Sequence, residues 1–308
     1  MTRRPFNAMS AGLVYATRWE SVDGIWRVRL LVEGEPGDLV LERGKNLSFK
    51  VGKGRFCVGH SRVTTDYTTA DSWKERFPCP TSSLADSGSQ CRSCAANDVS
   101  HPCARCTGET CAAHPSVREK CENSEAYVYL AVFGDRLKAG VSQGRRVEKR
   151  WVEQGADAAR RVLSANGREA RVYEKRIQDE LGALKGVKAD AKMSFTDPRE
   201  LEYGLKSLDA HAVKLRALFP SARHVDEETT LLAEAYGLPQ TRVRPIEAKI
   251  RDNAAISGKI LGAKGPILYL ENTGIIYSVN LHALTGRKIS DDLNGSRPSQ
   301  SGLGAYIR

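Results

Sequence analysis

All eight cysteines of this 308-residue chain lie in residues 57–121, and the rest of the chain contains none. Two pairs have the spacing C-x-x-C, Cys91 with Cys94 and Cys103 with Cys106. A pair at this spacing can direct both sulfurs to one point, and two pairs can complete a tetrahedral Zn²⁺ site. The surrounding segment is rich in Ser, Asp and Pro and has little periodic pattern. We therefore expect a metal to cross-link and order it.

Eight thiols suit two four-ligand sites, and the spacing allows two partitions. In one, the two close pairs share a single site, which leaves Cys57, Cys79, Cys111 and Cys121. The preferred partition takes consecutive blocks, with Cys57, Cys79, Cys91 and Cys94 in one site and Cys103, Cys106, Cys111 and Cys121 in the other. His60, His101 and His114 are close enough in sequence to replace a ligand. Thiolate-rich sites favour Zn²⁺, so we expect two structural zinc ions.

The charge of the chain favours an anionic partner. The net charge is +10 with a pI near 9.2. The excess is concentrated in residues 136–176, which contain twelve Lys or Arg against five Asp or Glu. DNA or RNA is the partner that such a distribution predicts.

The sequence predicts a cytoplasmic protein that does not cross a membrane. No apolar run approaches the roughly 18 residues of a membrane span, and no apolar stretch follows the charged N-terminus as a secretory signal requires. In a reducing compartment the thiols are expected to bind metal rather than to form disulfides.

Periodicity and turn residues predict an α+β protein in five consecutive regions. Residues 1–56 form an N-terminal β unit, and residues 57–124 form the Cys-rich zinc-binding segment. Residues 125–195 form a small sheet with flanking helices, and residues 196–290 form a C-terminal helix plus β-strand region. The tail 291–308, rich in Ser, Gly and Asn, is expected to be disordered.

Within the central region the patterns are more detailed. Strands at 126–133 and 137–142 predict a β-hairpin around Gly134-Asp135. Helices are expected at 146–164 and 169–184, with a cap or turn at Asn166-Gly167. Further along, the sequence predicts helices at 198–218 and 228–236 and strands at 242–250, 258–270 and 274–281.

The hairpin and the helix after it carry a second set of residues with chemical potential. Phosphodiester cleavage needs a base to activate water, a cation for the phosphate oxygens and a carboxylate for a divalent ion. The residue types that could fill these roles are present, and the candidate catalytic residues are Tyr127, Tyr129, Lys138, Arg150 and Glu174. Basic residues that crowd the helix entrance are candidates for nucleic-acid binding, namely Arg145, Arg146, Lys149 and Arg150.

Several stretches of the chain resemble the uncharacterised domain-of-unknown-function family 2797. The resemblance spans roughly residues 10–290, and its most specific part is RWVEQGA at 150–156. Other matching stretches are VYLA at 128–131, LKAGVS at 137–142, NGREA at 166–170 with Glu174, TGETC at 107–111, GKILGAKGPILYL at 258–270 and IIYSVN at 275–280. In that family, as here, a cysteine-rich part with zinc-ribbon-like character precedes the core.

The core is also remotely similar to GIY-YIG nucleases. By this resemblance Tyr127 or Tyr129 matches the tyrosine of the first motif, Arg150 the phosphate-binding arginine and Glu174 the metal-binding glutamate. Lys138 stands where the second tyrosine is expected, which replaces a proton-transfer group with a cation. The resemblance implies a GIY-YIG-like sheet with flanking helices and one Mg²⁺ or Mn²⁺ as cofactor.

Three functions follow as hypotheses. The first is a zinc-stabilised, GIY-YIG-like metal-dependent endonuclease. The second is a non-catalytic nucleic-acid-binding module on a degenerate nuclease-like core, which the lysine at position 138 favours. The third is a redox or metal-handling protein, which needs a labile cysteine pair that the sequence does not indicate.

Overall fold

The computed structural model describes residues 11–63, 74–193, 195–238 and 244–290. The predicted disordered tail, 291–308, lies outside them. The strands run in chain order as β1 Gly12–Val22, β2 Ile25–Glu33, β3 Leu39–Leu41, β4 Asn46–Val51, β5 His60–Val63, β6 Lys74–Phe77, β7 Glu125–Phe133, β8 Arg136–Gln143, β9 Ala158–Asn166, β10 Arg223–His224, β11 Thr230–Leu231, β12 Ile246–Glu247, β13 Ala255–Lys264, β14 Ile267–Asn272, β15 Ile275–Asn280 and β16 Lys288–Ser290.

The α-helices are α1 Arg92–Asn97, α2 His101–Arg105, α3 Pro115–Asn123, α4 Val147–Gln154, α5 Gly167–Leu181, α6 Pro198–Leu218 and α7 Ala233–Tyr236. Short 3-10 turns occur at Gly144–Arg146, Asp190–Lys192 and Leu281–Leu284. The mixed α+β class that the sequence predicts is therefore confirmed. None of the described helices combines the length and the apolar character that a membrane crossing needs.

The chain forms two compact units whose segments interleave along the sequence. The first unit comprises residues 1–59, 78–94 and 245–308, and the second comprises 60–77 and 95–244. The five regions predicted from the sequence are each one continuous segment, whereas each of these units combines segments that are separated along the chain.

The first unit contains a nine-stranded sheet with the order β12-β15-β14-β13-β4-β16-β1-β2-β3. Only β12 and β15 run parallel among the paired strands of this sheet. Asp23 and Gly24, both with positive φ, make the two-residue turn between β1 and β2, as an Asp-Gly sequence favours. The buried indole of Trp19 donates a hydrogen bond to the Gly265 carbonyl at 3.0 Å. N-terminal and C-terminal strands thus share one sheet and one core.

The second unit is built around the antiparallel order β10-β9-β7-β8, with β11 also paired to β9. The β7–β8 hairpin with its Gly134-Asp135 turn is confirmed by the pairing of Phe133 with Arg136. Helices α5 and α6 pack against β7 and β8. The core between them contains Val128, Leu130, Ile177, Leu208 and Leu215, which are fully buried. A separate two-stranded sheet pairs β5 with β6.

The predicted helix at 146–164 is wrong beyond residue 154. Gly155 adopts φ +74°, a left-handed conformation that residues with a side chain disfavour. Its N–H donates to the carbonyls of Trp151 and Val152, which ends α4. Residues 158–166 then form β9, which pairs with β7 along its length. Asn166 does not end that helix but caps the start of α5, because its side-chain oxygen accepts from the N–H groups of Arg168 and Glu169.

Two later predictions also need correction. The expected helix at 228–236 is limited to α7, because residues 230–231 pair with β9 instead. The expected strand at 242–250 is partly outside the described residues, and its described part contains only β12. The helix predicted at 198–218 is confirmed as α6, whose first turn is capped by the Asp197 side chain.

Candidate functional site

Four cysteines of the first unit converge on one point. We call Cys57, Cys79, Cys91 and Cys94 the first cysteine quartet. Their sulfurs lie within 4.8 Å of one another, all four are buried, and none forms a disulfide. A tetrahedral Zn²⁺ with bonds of about 2.3 Å holds its sulfurs roughly 3.8 Å apart, so the quartet fits a zinc ion with little movement.

Hydrogen bonds around the first cysteine quartet suit thiolates. The N–H of Gly59 donates to the Cys57 sulfur at 3.4 Å, which turns the backbone around the ligand. The Cys79 sulfur lies 3.5 Å from the Thr81 hydroxyl and 3.7 Å from that of Ser83. Although burial raises the pKa of Cys79, these hydrogen bonds lower it to about 5. The donor set and its surroundings therefore favour a soft divalent metal.

The other four cysteines, Cys103, Cys106, Cys111 and Cys121, lie in the second unit. We call them the second cysteine quartet. Burial raises the pKa of Cys103 and Cys121. The charges of Cys106 and Cys111 raise both of these pKa values further, and the charge of Cys103 also raises that of Cys121. Gly108 donates its N–H to the Cys106 sulfur at 3.3 Å. Among the described residues, however, only the first quartet brings all its sulfurs within 4.8 Å of one another.

The three histidines that could have replaced a ligand are not part of the convergent group. His60 accepts a hydrogen bond from Arg62 at 3.1 Å, and its ring contacts the Phe77 ring in a tilted arrangement with centroids 5.4 Å apart. His114 caps α3 by accepting from Ser116, and His101 begins α2. The four side chains that could hold a metal ion in the described part of the chain are therefore all thiols.

A second constellation gathers in the second unit between β7, β8, α4 and α5. We call Tyr129, Lys138, Arg150 and Glu174 the Lys138 cluster. Tyr129 pairs with Gly140, and Lys138 pairs with Ala131 two residues along the same face. The Lys138 ammonium lies 5.5 Å from the centre of the Tyr129 ring. Glu174 joins from α5 because it lies one turn from the buried Ala170 and Ile177.

Gly140 makes room for the Tyr129 ring. A Cβ added at this glycine would lie 2.4 Å from both Cζ and Oη of Tyr129. The ring also meets the edge of Trp151, with centroids 6.2 Å apart, and its hydroxyl accepts from the Gln154 amide at 2.9 Å. Contacts with Gly140, Trp151 and Gln154 therefore fix the position of the Tyr129 side chain.

Burial shifts the titration of three members of the Lys138 cluster. It raises the pKa of Tyr129 to about 12, which the Arg150 guanidinium and the Gln154 hydrogen bond only partly oppose. Burial lowers the pKa of Lys138 to about 8. The negative charge of Glu174 opposes this shift, and the positive charge of Arg150 adds to it. Burial raises the pKa of Glu174, and the Arg171 and Lys138 cations lower that pKa in part. Perturbed groups of both signs in one place are typical of functional sites.

The remaining sequence candidates, which are not members of the Lys138 cluster, have other partners. Tyr127 is on the same strand, but its ring faces the Arg161 guanidinium at 5.1 Å. Arg146 and Arg150 both pair with Glu153, at 3.6 and 3.5 Å. Arg145 and Lys149 sit at the same helix entrance and also have partners.

Sequence reasoning missed the supporting residues Gln154, Arg171, Lys185 and Lys192. Gln154 falls in the RWVEQGA stretch, one turn after Trp151, and Arg171 lies one turn before Glu174 and pairs with it at 3.7 Å. Helical spacing could have indicated both. Lys185 lowers the pKa of Glu174, and Lys192 lowers the pKa of Lys138. Both lysines lie outside these helices, and no local sequence pattern indicates them.

A family model described as Protein of unknown function (DUF2797) matches residues 44–289. Neither the curated proteins nor the solved structures gave a match.

Proposed function

The chain belongs to the family described as Protein of unknown function (DUF2797), and we propose that it is a zinc-stabilised, nucleic-acid-associated protein with a metal-dependent phosphodiesterase site. The observation that carries the proposal is the Lys138 cluster. It brings a cation for phosphate, a carboxylate for a divalent ion and a titratable base together. The net charge of +10 supports a polyanionic substrate.

Zinc has a structural role in this proposal. One Zn²⁺ is bound by the first cysteine quartet, whose geometry fits it. A second Zn²⁺ is bound by the second cysteine quartet, whose members influence one another's charge and whose Cys106 already accepts from a backbone N–H. Four thiolates fill the tetrahedron in each site, so neither ion has an open position for substrate.

The likeness to GIY-YIG nucleases is part of the proposal and rests on topology. The order hairpin β7–β8, helix α4, strand β9 and helix α5 agrees with the small sheet and flanking helices that the sequence motifs imply. Tyr129 rather than Tyr127 takes the place of the first tyrosine, because Tyr129 lies beside Arg150 and Glu174.

Roles within the Lys138 cluster follow from charge and burial. Arg150, with about half of its side chain exposed, binds a phosphate oxygen and offsets charge in the transition state. Tyr129 keeps its proton at neutral pH and orients the attacking water or the phosphate by hydrogen bonding, because its pKa is raised to about 12. Lys138, with a pKa near 8, is the base that removes a proton from the water.

Glu174 is the carboxylate that would bind Mg²⁺ or Mn²⁺. A protein commonly binds Mg²⁺ through one or two carboxylates together with substrate phosphates. Glu174 is surrounded by Arg171, Lys138, Lys185 and Arg150, so it fits such an ion only when phosphate oxygens complete the site. When bound, the ion supplies Lewis acidity at the scissile phosphate.

The test is a cleavage assay with labelled DNA and RNA in the presence of Mg²⁺ or Mn²⁺. We expect Arg150→Ala to lower the cleavage rate by roughly a hundredfold to a thousandfold, as removal of one charge-stabilising donor does elsewhere. Glu174→Gln should cause a comparable loss. Glu180→Gln is the matched control, because Glu180 lies exposed on the same helix and pairs with Arg176. Cleavage that survives both cluster variants would refute the nuclease site.

A non-catalytic nucleic-acid-binding module is the second candidate, and Lys138 in the place of a proton-transferring tyrosine favours it. Its affinity would fall steeply with salt and would not depend on Glu174. Salt-sensitive binding by wild type and Glu174→Gln alike, without cleavage, would establish this second function over the first.

A further inference from the structure

The two-stranded sheet of β5 and β6 has an arginine stacked on an aromatic ring. We propose that this stack is a binding platform for an unpaired base, and that the nucleic acid bound by the protein is single-stranded where it meets the platform. The inference rests on the proposed nucleic-acid association and names its substrate class. It does not require cleavage, because base stacking and phosphate contacts are sufficient for binding.

Three side chains on one face of this sheet form the platform. The guanidinium carbon of Arg62 lies 3.5 Å from the centre of the Phe77 ring, so the guanidinium lies directly over the ring. The Nε–H of Arg62 donates to Nε2 of His60 at 3.1 Å. His60 is paired with Phe77 across the two strands, and the centroids of their rings are 5.4 Å apart. These contacts hold the Arg62 guanidinium in place over the Phe77 ring.

The platform is accessible to a ligand. Arg62 is exposed, and Phe77 is 38% exposed although it is a large apolar residue. His60, by contrast, is buried, so it anchors the inner end of the platform. Nucleic-acid bases stack on aromatic rings and on guanidinium planes. The side of the Arg62 guanidinium that faces away from Phe77 can therefore receive a base.

Backbone hydrogen bonds attach the platform to the rest of the second unit. The N–H of Ser61 donates to the Asp98 carboxylate at 3.1 Å, and the carbonyl of Ser61 accepts from the N–H of Val99 at 3.2 Å. Both contacts use the edge of β5, so β6 is the outer strand of the sheet. A platform that is already ordered lowers the entropic cost of binding.

The charge of the two strands suits the phosphates that accompany a base. β5 and β6 contain three Lys or Arg residues, Arg62, Lys74 and Arg76, against the single acid Glu75. Lys74 and Arg76 lie on the face opposite Arg62, because side chains alternate along a strand. The sheet is only two strands wide, about 5 Å between strands. A polynucleotide that passes over β6 can therefore contact cations on one face and the platform on the other.

Lys74 connects the platform to the basic entrance of α4. Burial lowers the pKa of Lys74, Asp98 opposes this shift, and the positive charges of Arg146 and Arg150 lower the pKa further. Lys74 is thus close enough to both arginines to interact with their charges. Arg150 belongs to the Lys138 cluster, so a bound strand can contact the cluster and the platform together. Bases in a duplex are already stacked on their neighbours, which is why the platform favours an unpaired strand.

The experiment measures binding by fluorescence anisotropy without Mg²⁺ or Mn²⁺. Zinc-loaded full-length protein is mixed with labelled ligands of equal length: an unpaired strand, tested as DNA and as RNA, a duplex, and a sugar-phosphate strand without bases. We expect the unpaired strand to bind most tightly. Arg62→Lys keeps the charge but removes the planar group. It should weaken binding of the unpaired strand about 5-fold to 150-fold, the effect of losing one stacked base, and leave the base-free strand unchanged.

Two matched variants control for a general effect of substitution. Phe77→Leu should act like Arg62→Lys, because it removes the ring that supports the guanidinium. Arg223→Lys and Tyr203→Leu change an exposed arginine and an exposed aromatic residue elsewhere in the same unit, and they should bind the unpaired strand like wild type. If the platform variants fail to fold, which circular dichroism would reveal, a photoreactive base in the wild-type complex decides the matter. Peptide mass spectrometry should locate its cross-link in β5 or β6.

Each outcome decides the inference separately from the proposed nuclease. Base-dependent binding that Arg62→Lys removes supports it, and the DNA and RNA arms identify which strand is preferred. Equal binding of unpaired and base-free strands overturns it, as does an equal loss of both in Arg62→Lys. Preference for the duplex, or a cross-link outside β5 and β6, also overturns it, and cleavage still tests the nuclease. If no ligand binds, the inference and the proposed nucleic-acid association both fail.

Discussion

At the scale of single residues, the Lys138 cluster depends on a glycine that carries no chemistry. Gly140 has no positive φ, so it is not needed for backbone conformation. It is needed for space, because a methyl group there would overlap the end of the Tyr129 ring. The tyrosine can occupy its site between Trp151 and Gln154 only while position 140 lacks a side chain.

Gly140→Ala should therefore destabilise the second unit and displace Tyr129. We expect a loss of about 1–3 kcal/mol in the free energy of unfolding, the usual cost of overpacking a core. Thermal or denaturant unfolding measures the loss. Gly186→Ala is the control, because nothing lies within 4 Å of a Cβ added at Gly186. Equal stability of the two variants would contradict the packing of Tyr129 on Gly140.

Lys138 stands where the GIY-YIG motif would have its second tyrosine, and the two side chains differ in chemistry. A tyrosine there would be a neutral hydrogen-bond donor, whereas lysine brings a charge that the fold must bury. Burial lowers its pKa to about 8 and raises that of Glu174, so the two groups approach each other in proton affinity.

At the scale of elements, β9 is the strand that organises the second unit. It pairs with β7 and also receives β10 and β11. Its Arg161 binds Glu227 through two short side-chain hydrogen bonds, of 2.7 and 2.6 Å, and its backbone N–H donates to the same carboxylate. This contact fastens the segment between β10 and β11 to the sheet.

Glu227→Gln should lower the free energy of unfolding by about 1.5–3 kcal/mol at neutral pH, the range for hydrogen bonds to charged groups. The hydrogen bond from Arg161 lowers the pKa of Glu227 below its usual value. The stabilisation is therefore fully present above the unfolded pKa of about 4.3 and is lost as pH falls through the lower folded pKa.

Unfolding of wild type and Glu227→Gln at pH 7 and in acid measures this difference. The two proteins should differ at pH 7 and converge as the carboxylate becomes protonated. Glu228→Gln, a change of the same kind at an exposed neighbour, should match wild type at both pH values. A difference between wild type and Glu227→Gln that grows in acid would contradict the assigned sign.

At the scale of the whole molecule, each of the two units contains four of the eight cysteines. The first cysteine quartet lies in residues 1–59 and 78–94, and the second lies in residues 95–244. The division agrees with the preferred partition into consecutive blocks. If each quartet binds its own zinc ion, the two ions should be lost independently.

Cys91→Ser and Cys106→Ser should each reduce the bound zinc from two ions per chain to one, and the double variant should reduce it to none. Metal analysis of the purified proteins measures this. Each single variant should also be less stable, because metal binding contributes directly to folding in such sites. Two ions retained in Cys106→Ser would rule out a zinc ion in the second quartet.

The sequence by itself determined the features that depend on neighbours along the chain. Thiol spacing indicated cysteines that could bind a metal, and the Gly134-Asp135 turn indicated the hairpin. The helical pattern of 198–218, capped by Asp197 and begun by Pro198, predicted α6 correctly. These features are local because turns, caps and amphipathic faces are decided by residues within one or two turns of each other.

Only the tertiary structure decided the features that depend on distant partners. Residues 158–166 are basic and alanine-rich enough to suggest a helix, yet pairing with β7 makes them a strand. β4 pairs with β13, about two hundred residues later in the chain, which no local pattern can indicate. Tyr127 and Tyr129 are equivalent in the sequence, but Gly140 and Gln154 select Tyr129 for the cluster. Strand partners and burial are properties of the packed chain, and for that reason composition and periodicity leave them open.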